Sequence, residues 1–232
     1  MFLSPIFNFT SNSTFTFTFW ALVTRLGEAQ IALPVLFASM IWLMRRHGNL
    51  RLVTWWLCFV VGAALLTLTT KVAFIGWGVG VAALNFTGVS GHTMFASTVY
   101  PLLACLLFTE WPTQQRRGAV WAGAAVALVV GISRVVVGAH SVSEVVAGLV
   151  VGGAASAAAL TLARHPVASV PYWVPLGVAL WLGITPITAP VSETHGMVTR
   201  LSLALSGRAV PYTRSDLRRG VRAGVPAVLP AF

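Results

Sequence analysis

The feature that most constrains this chain is a series of apolar stretches, each close to 20 residues long, joined by short polar connections. As an α-helix such a stretch rises about 30 Å, the thickness of a bilayer's hydrocarbon core. In hydrocarbon every backbone N–H and C=O needs an internal partner, so unbroken apolar runs of this length are read as helices. Six are expected, at 20–44, 52–74, 92–108, 119–137, 142–163 and 170–188. With 57% hydrophobic and only 9% charged residues, the composition excludes an ordinary water-soluble domain. The expected fold is an all-α, polytopic transmembrane helical bundle of about six spans at 1–190, followed by a basic C-terminal tail at 191–232.

Fifteen basic residues against five acidic give a net charge of +10. On a soluble chain that would suggest nucleic acid. Here the charge lies between apolar runs or in the tail, where it orients helices and meets anionic lipid, so a bilayer and no nucleic-acid partner is expected. Arg45, Arg46, His47 and Arg51 join runs one and two, Arg116 and Arg117 join three and four, and Arg164 joins five and six. The connections at 76–91 and 138–141 hold no Lys or Arg. The positive-inside rule therefore puts the arginine loops in the cytoplasm and the uncharged loops outside. Helix parity carries the tail outside too, whereas its own Arg200, Arg208, Arg214, Arg218, Arg219 and Arg222 favour the inside. Pro171, Pro175, Pro186 and Pro190 would let the sixth run bend or turn back; a spanning helix is the expectation.

Smaller signals add little. The N-terminus, MFLSPIFNFTSNSTFTFTFW, lacks the basic start of a signal peptide. The sequons at Asn8, Asn12 and Asn85 carry no weight. Cys58 and Cys105 are expected as core thiols, and Trp20, Trp77 and Trp111 as interfacial aromatics. Gly148 and Gly152, four apart, mark a close helix contact.

Ionisable groups inside apolar runs cost ~2.5–3.5 kcal/mol near a helix centre, so each needs a reason. They are Arg25, Glu28, Lys71, His92, Arg134, His140 and Glu144. Arg25 and Glu28, three apart, suit a local ion pair. The other five gather at the outer ends of runs two to five, facing one aqueous mouth. Cations there can neutralise phosphoryl oxygens, as can backbone amides at the helix start formed by Ser90, Gly91 and His92. One histidine can attack phosphorus and another can protonate the leaving oxygen. His140 and Glu144, four apart on a helix face, can pair so that the carboxylate orients the ring. Ser141–Glu144 also matches a capping box, S-x-x-E, a purely structural use of the same glutamate. Glu193 and His195 form a similar couple but fall in an expected loop without partners, as surface residues.

SGHT at 90–93 and SRVVVGAHSVSE at 133–144 resemble the second and third signatures of the type 2 phosphatidic acid phosphatase and vanadium haloperoxidase superfamily, in its integral-membrane lipid phosphatase branch. The family patterns are KxxxxxxRP, PSGH and SRxxxxxHxxxD. Ser133, Arg134 and His140 fit the third at the right spacing, with Glu144 in place of Asp, and Val89 stands for Pro in the second. In the first, Lys71 fits, but Gly78 stands where Arg belongs and Val79 where Pro does. A tail arginine could replace that cation only if the tail lies outside.

The resemblance implies a catalytic set of His140 as nucleophile, His92 as general acid and Glu144 orienting His140, with Lys71, Ser90, Gly91, Ser133 and Arg134 binding phosphate. It implies no metal and no cofactor. It covers residues 50–163 and implies a membrane phosphatase acting on a lipid phosphomonoester or pyrophosphate through a phospho-histidine. Phosphatidate, phosphatidylglycerol phosphate, undecaprenyl pyrophosphate and lipid A phosphates all fit, with the site on the outer face of a bacterial inner membrane. The alternatives are a non-catalytic lipid-phosphate binder or transporter and a lipid-to-lipid phosphotransferase.

Overall fold

The computed structural model describes residues 9–47, 50–108, 112–162, 171, 173–190 and 192–222, and of 9–15, 46, 47, 221 and 222 the backbone alone. Asn8, Trp111, Arg164 and the run ends at 163 and 170 lie outside the described residues, as do the side chains of Asn12, Arg46 and His47. The described residues form nine α-helices: α1 (Phe9–Arg25), α2 (Ala29–His47), α3 (Leu50–Trp77), α4 (Gly91–Leu107), α5 (Thr113–Val136), α6 (Val142–Leu162), α7 (Trp173–Thr188), α8 (Thr194–Ser206) and α9 (Arg214–Arg222). The fold is an all-α bundle.

Helices α3, α5 and α6, with 28, 24 and 21 residues, are each long and apolar enough to cross a bilayer. α1 and α2 qualify only together, as a pair bent by 40°. α4 and α7 are apolar but have 17 and 16 residues. The three long helices, the bent pair and the two shorter apolar helices stand at the places of the six expected runs, and three of them, or four with the bent pair, are long enough to span.

The first expected run is not one straight helix, and its break has a cause in packing. At Leu26–Glu28 the chain presses on α4 and α5. A Cβ at Gly27 would sit 2.7 Å from His92 Cβ and 2.8 Å from Val130 Cγ1. The Leu26 carbonyl released by the break accepts the Tyr100 hydroxyl at 2.7 Å.

α4 is the axis of the bundle, buried from Thr93 to Leu106 except at Phe95 and Ala104. Without a hydrophobic drive between helices in lipid, close backbone packing must hold the bundle together. Glycines provide it. A Cβ at Gly148 would fall 2.9 Å from Thr93 Cβ, and one at Gly152 would land on the Met94 carbonyl. Gly148 and Gly152 are therefore the packing face of α6. Trp56, Leu36, Leu43, Leu52, Val99 and Leu102 fill the core between α2, α3 and α4. Outward, Phe37, Leu57, Leu65, Leu128, Val150 and Leu180 are exposed, an apolar coat that suits lipid rather than water. Cys105 is buried in the core, but Cys58 is exposed on the flank of α3 and is not a core thiol.

α3, α5 and α7 end, and α4 and α6 begin, at the end of the bundle that carries the ionisable cluster. Arg25 forms its ion pair with Glu28 at 3.2 Å and does more. It donates to the carbonyls of Pro186, Ala189 and Pro190 at 2.7, 2.6 and 2.9 Å, clamping the end of α7 to the α1–α2 break. The chain then returns as α8, which packs on the last turns of α3: a Cβ at Gly76 would lie 3.2 Å from the Ser202 carbonyl. The Tyr212 N–H donates to the Ile75 carbonyl at 2.9 Å. The described C-terminal residues thus form a helical cover over this end of the bundle.

Candidate active site

The site begins where α5 stops. Gly138, with φ 71°, takes the left-handed conformation that only glycine adopts without strain. The Gly138 N–H donates to the Val135 carbonyl and the Ala139 N–H to the Arg134 carbonyl, both at 3.0 Å. This is a Schellman closure, and it turns the chain sharply from Arg134 to His140. α6 then starts with a reciprocal cap. The Ser141 N–H donates to Glu144 Oε2 at 3.1 Å, and the Glu144 N–H to Ser141 Oγ at 3.4 Å.

The capping box and the histidine pairing coexist on one carboxylate. His140 Nδ1 lies 2.7 Å from the same Glu144 Oε2. A carboxylate only accepts, so Nδ1 carries a proton, and in the neutral ring Nε2 then keeps its lone pair. Glu144 is fully buried. Its Oε1 accepts the Thr87 N–H at 2.7 Å and the Thr87 hydroxyl at 2.6 Å. Arg214 Nη2 closes on both oxygens, at 3.1 and 2.9 Å. A buried charge with fewer partners would cost several kcal/mol. Burial pushes the His140 imidazole below its ordinary 6.5; Glu144 opposes this, and the charges of Lys71 and Arg134 add to it.

His140 lines a cavity of about 700 Å³ together with Lys71, Gly91, His92 and Arg134. Lys71 comes from the penultimate turn of α3. Its stem lies against Gly88, where a Cβ would be 3.1 Å from Lys71 Cγ, and Nζ approaches the start of α4, 3.7 Å from a Cβ placed on Gly91. His92 follows Gly91 in the first turn of α4. Arg134 donates from Nη1 to Thr24 Oγ1 at 3.0 Å, and its buried Nε has no hydrogen-bond partner among the described residues. Of the expected residues, two imidazoles, two cations and the N-terminus of α4 thus line one space, an arrangement that suits an anion.

Three of the expected residues are not on the cavity wall. Glu144 stands behind His140. Ser90 and Ser133 are fully buried. The Ser90 hydroxyl pairs with Thr93 Oγ1 at 3.0 Å, and the Ser133 hydroxyl donates to the Val130 carbonyl at 2.6 Å. The Ser90 N–H is also engaged, by the Glu144 carbonyl at 3.1 Å.

Thr87, Glu28, His195 and Arg214 also line the cavity, and the sequence reading did not place them there. His195 is exposed but lies in the first turn of α8, at the mouth, rather than in a loop. Arg214 opens α9 and reaches Glu144 from the C-terminal segment. The one sequence signal for it was the absent cation of the first signature.

The model of the PAP2 superfamily matches residues 76–168, which hold both histidines and Glu144. An uncharacterised 22.5 kDa protein in the cps region of Klebsiella pneumoniae is 33% identical over 205 residues, 86% of this chain and 98% of that protein. The chain belongs to the PAP2 superfamily. Phosphatidylglycerophosphatase B of Bacillus subtilis is 36% identical over 70 residues, 29% of this chain and 34% of the relative. No solved structure matches the chain. PAP2 membership supports a phosphatase of lipid metabolism, and the long apolar helices suit a membrane protein. Lys71 and Arg214 lie outside the matched segment, so this PAP2 protein builds part of its cavity from residues beyond it.

Proposed function

We propose that this PAP2 protein hydrolyses a lipid phosphomonoester or pyrophosphate through a phospho-histidine on His140. The observation that carries the reading is the pairing of His140 Nδ1 with buried Glu144, beside a cavity also lined by His92, Lys71 and Arg134. The Nε2 lone pair attacks phosphorus as the bond to the leaving oxygen breaks, and His92 delivers a proton to that oxygen. Glu144 holds the Nδ1 proton and balances the imidazolium that forms. Lys71, Arg134 and the α4 N-terminus take the charge on the phosphoryl oxygens. Water, giving its proton to His92, then attacks the phospho-histidine; inorganic phosphate leaves and His140 is restored.

Lipid substrates are favoured by the site's position. The cavity opens at the ends of apolar helices, so a head group can enter while its hydrocarbon remains beside the bundle. Phosphatidylglycerol phosphate, phosphatidate, undecaprenyl pyrophosphate and lipid A phosphates are the candidates. The described arginines 45, 51, 116 and 117 lie toward the opposite end of the bundle, while Arg200, Arg208, Arg214, Arg218 and Arg219 lie in the C-terminal cover on the site end; the charge of the loops that join the core helices favours the reading of a site on the periplasmic side of a bacterial inner membrane.

Phosphate release from these four lipids in detergent, with His140→Ala alongside, tests the reading. Turnover on at least one, lost in the variant and inhibited by vanadate, is the expected result. Binding of the lipids without phosphate release would overturn it in favour of a non-catalytic binder.

A further inference from the structure

We propose that Arg214 is a positioning residue for His140, carried to the site by the C-terminal cover and given room by the glycine that replaces the arginine of the first signature. At 78 the chain has Gly with φ 75°, and the space beside it is taken: a Cβ there would sit 3.1 Å from the Tyr212 ring. Tyr212 is anchored by its N–H to the Ile75 carbonyl at 2.9 Å, and the Arg208 guanidinium lies 4.1 Å from its ring centre. Two residues on, Arg214 Nη1 donates to the Asn85 carbonyl at 3.1 Å. Its Nη2 reaches Thr87 Oγ1 at 3.4 Å and both Glu144 oxygens. The segment that fills the room beside Gly78 therefore delivers a guanidinium to the carboxylate that holds His140.

Two consequences follow from the chemistry. The guanidinium fixes the carboxylate plane, and with it the ring that the carboxylate orients. It also compensates the carboxylate's charge. Without Arg214, Glu144 would face His140 as an uncompensated anion and favour the protonated imidazole, which cannot attack phosphorus. The other charged or titratable groups on the cavity that His140 lines are Lys71 from α3, His92 from α4, Arg134 from α5, His195 from α8, Tyr212 from the segment before α9 and Glu28 from the α1–α2 break. None of these six replaces Arg214 on the Glu144 carboxylate, whose other donors are the Thr87 N–H and hydroxyl, His140 Nδ1 and the Ser141 N–H.

The test pairs NMR titration of His140 with turnover, comparing Arg214→Gln and Arg214→Lys with the parent in detergent. The Gln variant is expected to raise the His140 midpoint by about half a pH unit or more and to lower turnover about tenfold. The Lys variant keeps the charge but not the planar pair of nitrogens that holds the Asn85 carbonyl and Glu144 together, so its midpoint should stay at the parent's while turnover falls several-fold. An unmoved midpoint in Arg214→Gln overturns the proposal. If that variant does not fold, parent-like turnover in Arg214→Lys overturns it. The turnover arm rests on the hydrolase reading and the titration arm does not. A parent without activity whose midpoint still moves in Arg214→Gln would sink the hydrolase reading and uphold Arg214.

Discussion

His140 Nδ1 and Glu144 Oε2 lie 2.7 Å apart, and the glutamate that makes this contact also caps α6 through Ser141. Local helix chemistry and the orientation of the ring therefore rest on one carboxylate.

Substitution at 144 separates the two roles. Glu144→Gln keeps an oxygen for the cap but loses the charge that balances an imidazolium. Turnover should fall about tenfold or more, roughly 1.4 kcal/mol of transition-state stabilisation, with helix content unchanged. Glu144→Asp restores the superfamily's residue but withdraws the carboxylate by about 1.5 Å, beyond hydrogen-bond tolerance for contacts now at 2.6–2.9 Å to Thr87, His140 and Arg214. It should lose activity too. Phosphate release alongside far-ultraviolet circular dichroism measures both variants, and parent-like turnover in Glu144→Gln would leave only the cap.

The depressed affinity of His140 for protons sets a pH dependence. In the proposed mechanism the attacking ring must be neutral, and burial moves the His140 midpoint below 6.5. The acid limb of kcat/KM, which reports the free enzyme, should therefore lie below pH 6.5. The same shift has a signed effect on stability. Well above 6.5 folded and unfolded His140 are both neutral; as pH falls through 6.5 the unfolded chain takes up the proton first, so stability is lost toward the folded midpoint. Thermal unfolding in detergent between about pH 5.5 and 7.5 should show this slope, reduced in His140→Gln.

How far the sequence discloses this site differs by residue. His92, Arg134, His140 and Glu144 were legible because polar groups in apolar runs are costly and their spacing set them at neighbouring helix ends. The burial of Ser90 and Ser133 was not, because which way a hydroxyl turns depends on packing around α4. The break at Gly27 also escaped, since an isolated glycine in an apolar run does not distinguish a tolerated helix residue from a close contact with His92. Arg214 was hidden for another reason. Residues 192–222 lack a long apolar run, so their charge suggested a tail, while their docking depends on contacts with Gly76 and Gly78 far back in the chain.

Gly27 supplies a test of that contact. A methyl there would press on both His92 Cβ and Val130 Cγ1, each closer than 3.0 Å, so the α4 start or the α1–α2 break must shift. Overpacking of this kind costs about 1–3 kcal/mol. Gly27→Ala should lower thermal stability and, because His92 moves, reduce turnover several-fold. Gly153→Ala, at a position with nothing within 4 Å, should change neither. Equal behaviour of the two variants would mean that the break does not seat His92.

The most discriminating change is one that makes the chain more like its superfamily. Gly78→Arg would restore the cation of the first signature. If each cation acted alone, adding one to this end of the bundle should help or do nothing. The geometry argues for harm. Residue 78 has φ 75°, a left-handed conformation that costs a non-glycine residue roughly 1–2 kcal/mol. The new Cβ would also meet the Tyr212 ring at 3.1 Å, displacing the segment that brings Arg214 to Glu144. Turnover should therefore fall, and the His140 midpoint should rise as it does when Arg214 is removed. Joining Gly78→Arg to Arg214→Gln should cost less than the sum of the two, because the first already withdraws the second. Full additivity in that double-mutant cycle, read as kcat/KM, would separate Gly78 from Arg214 and refute the link between them.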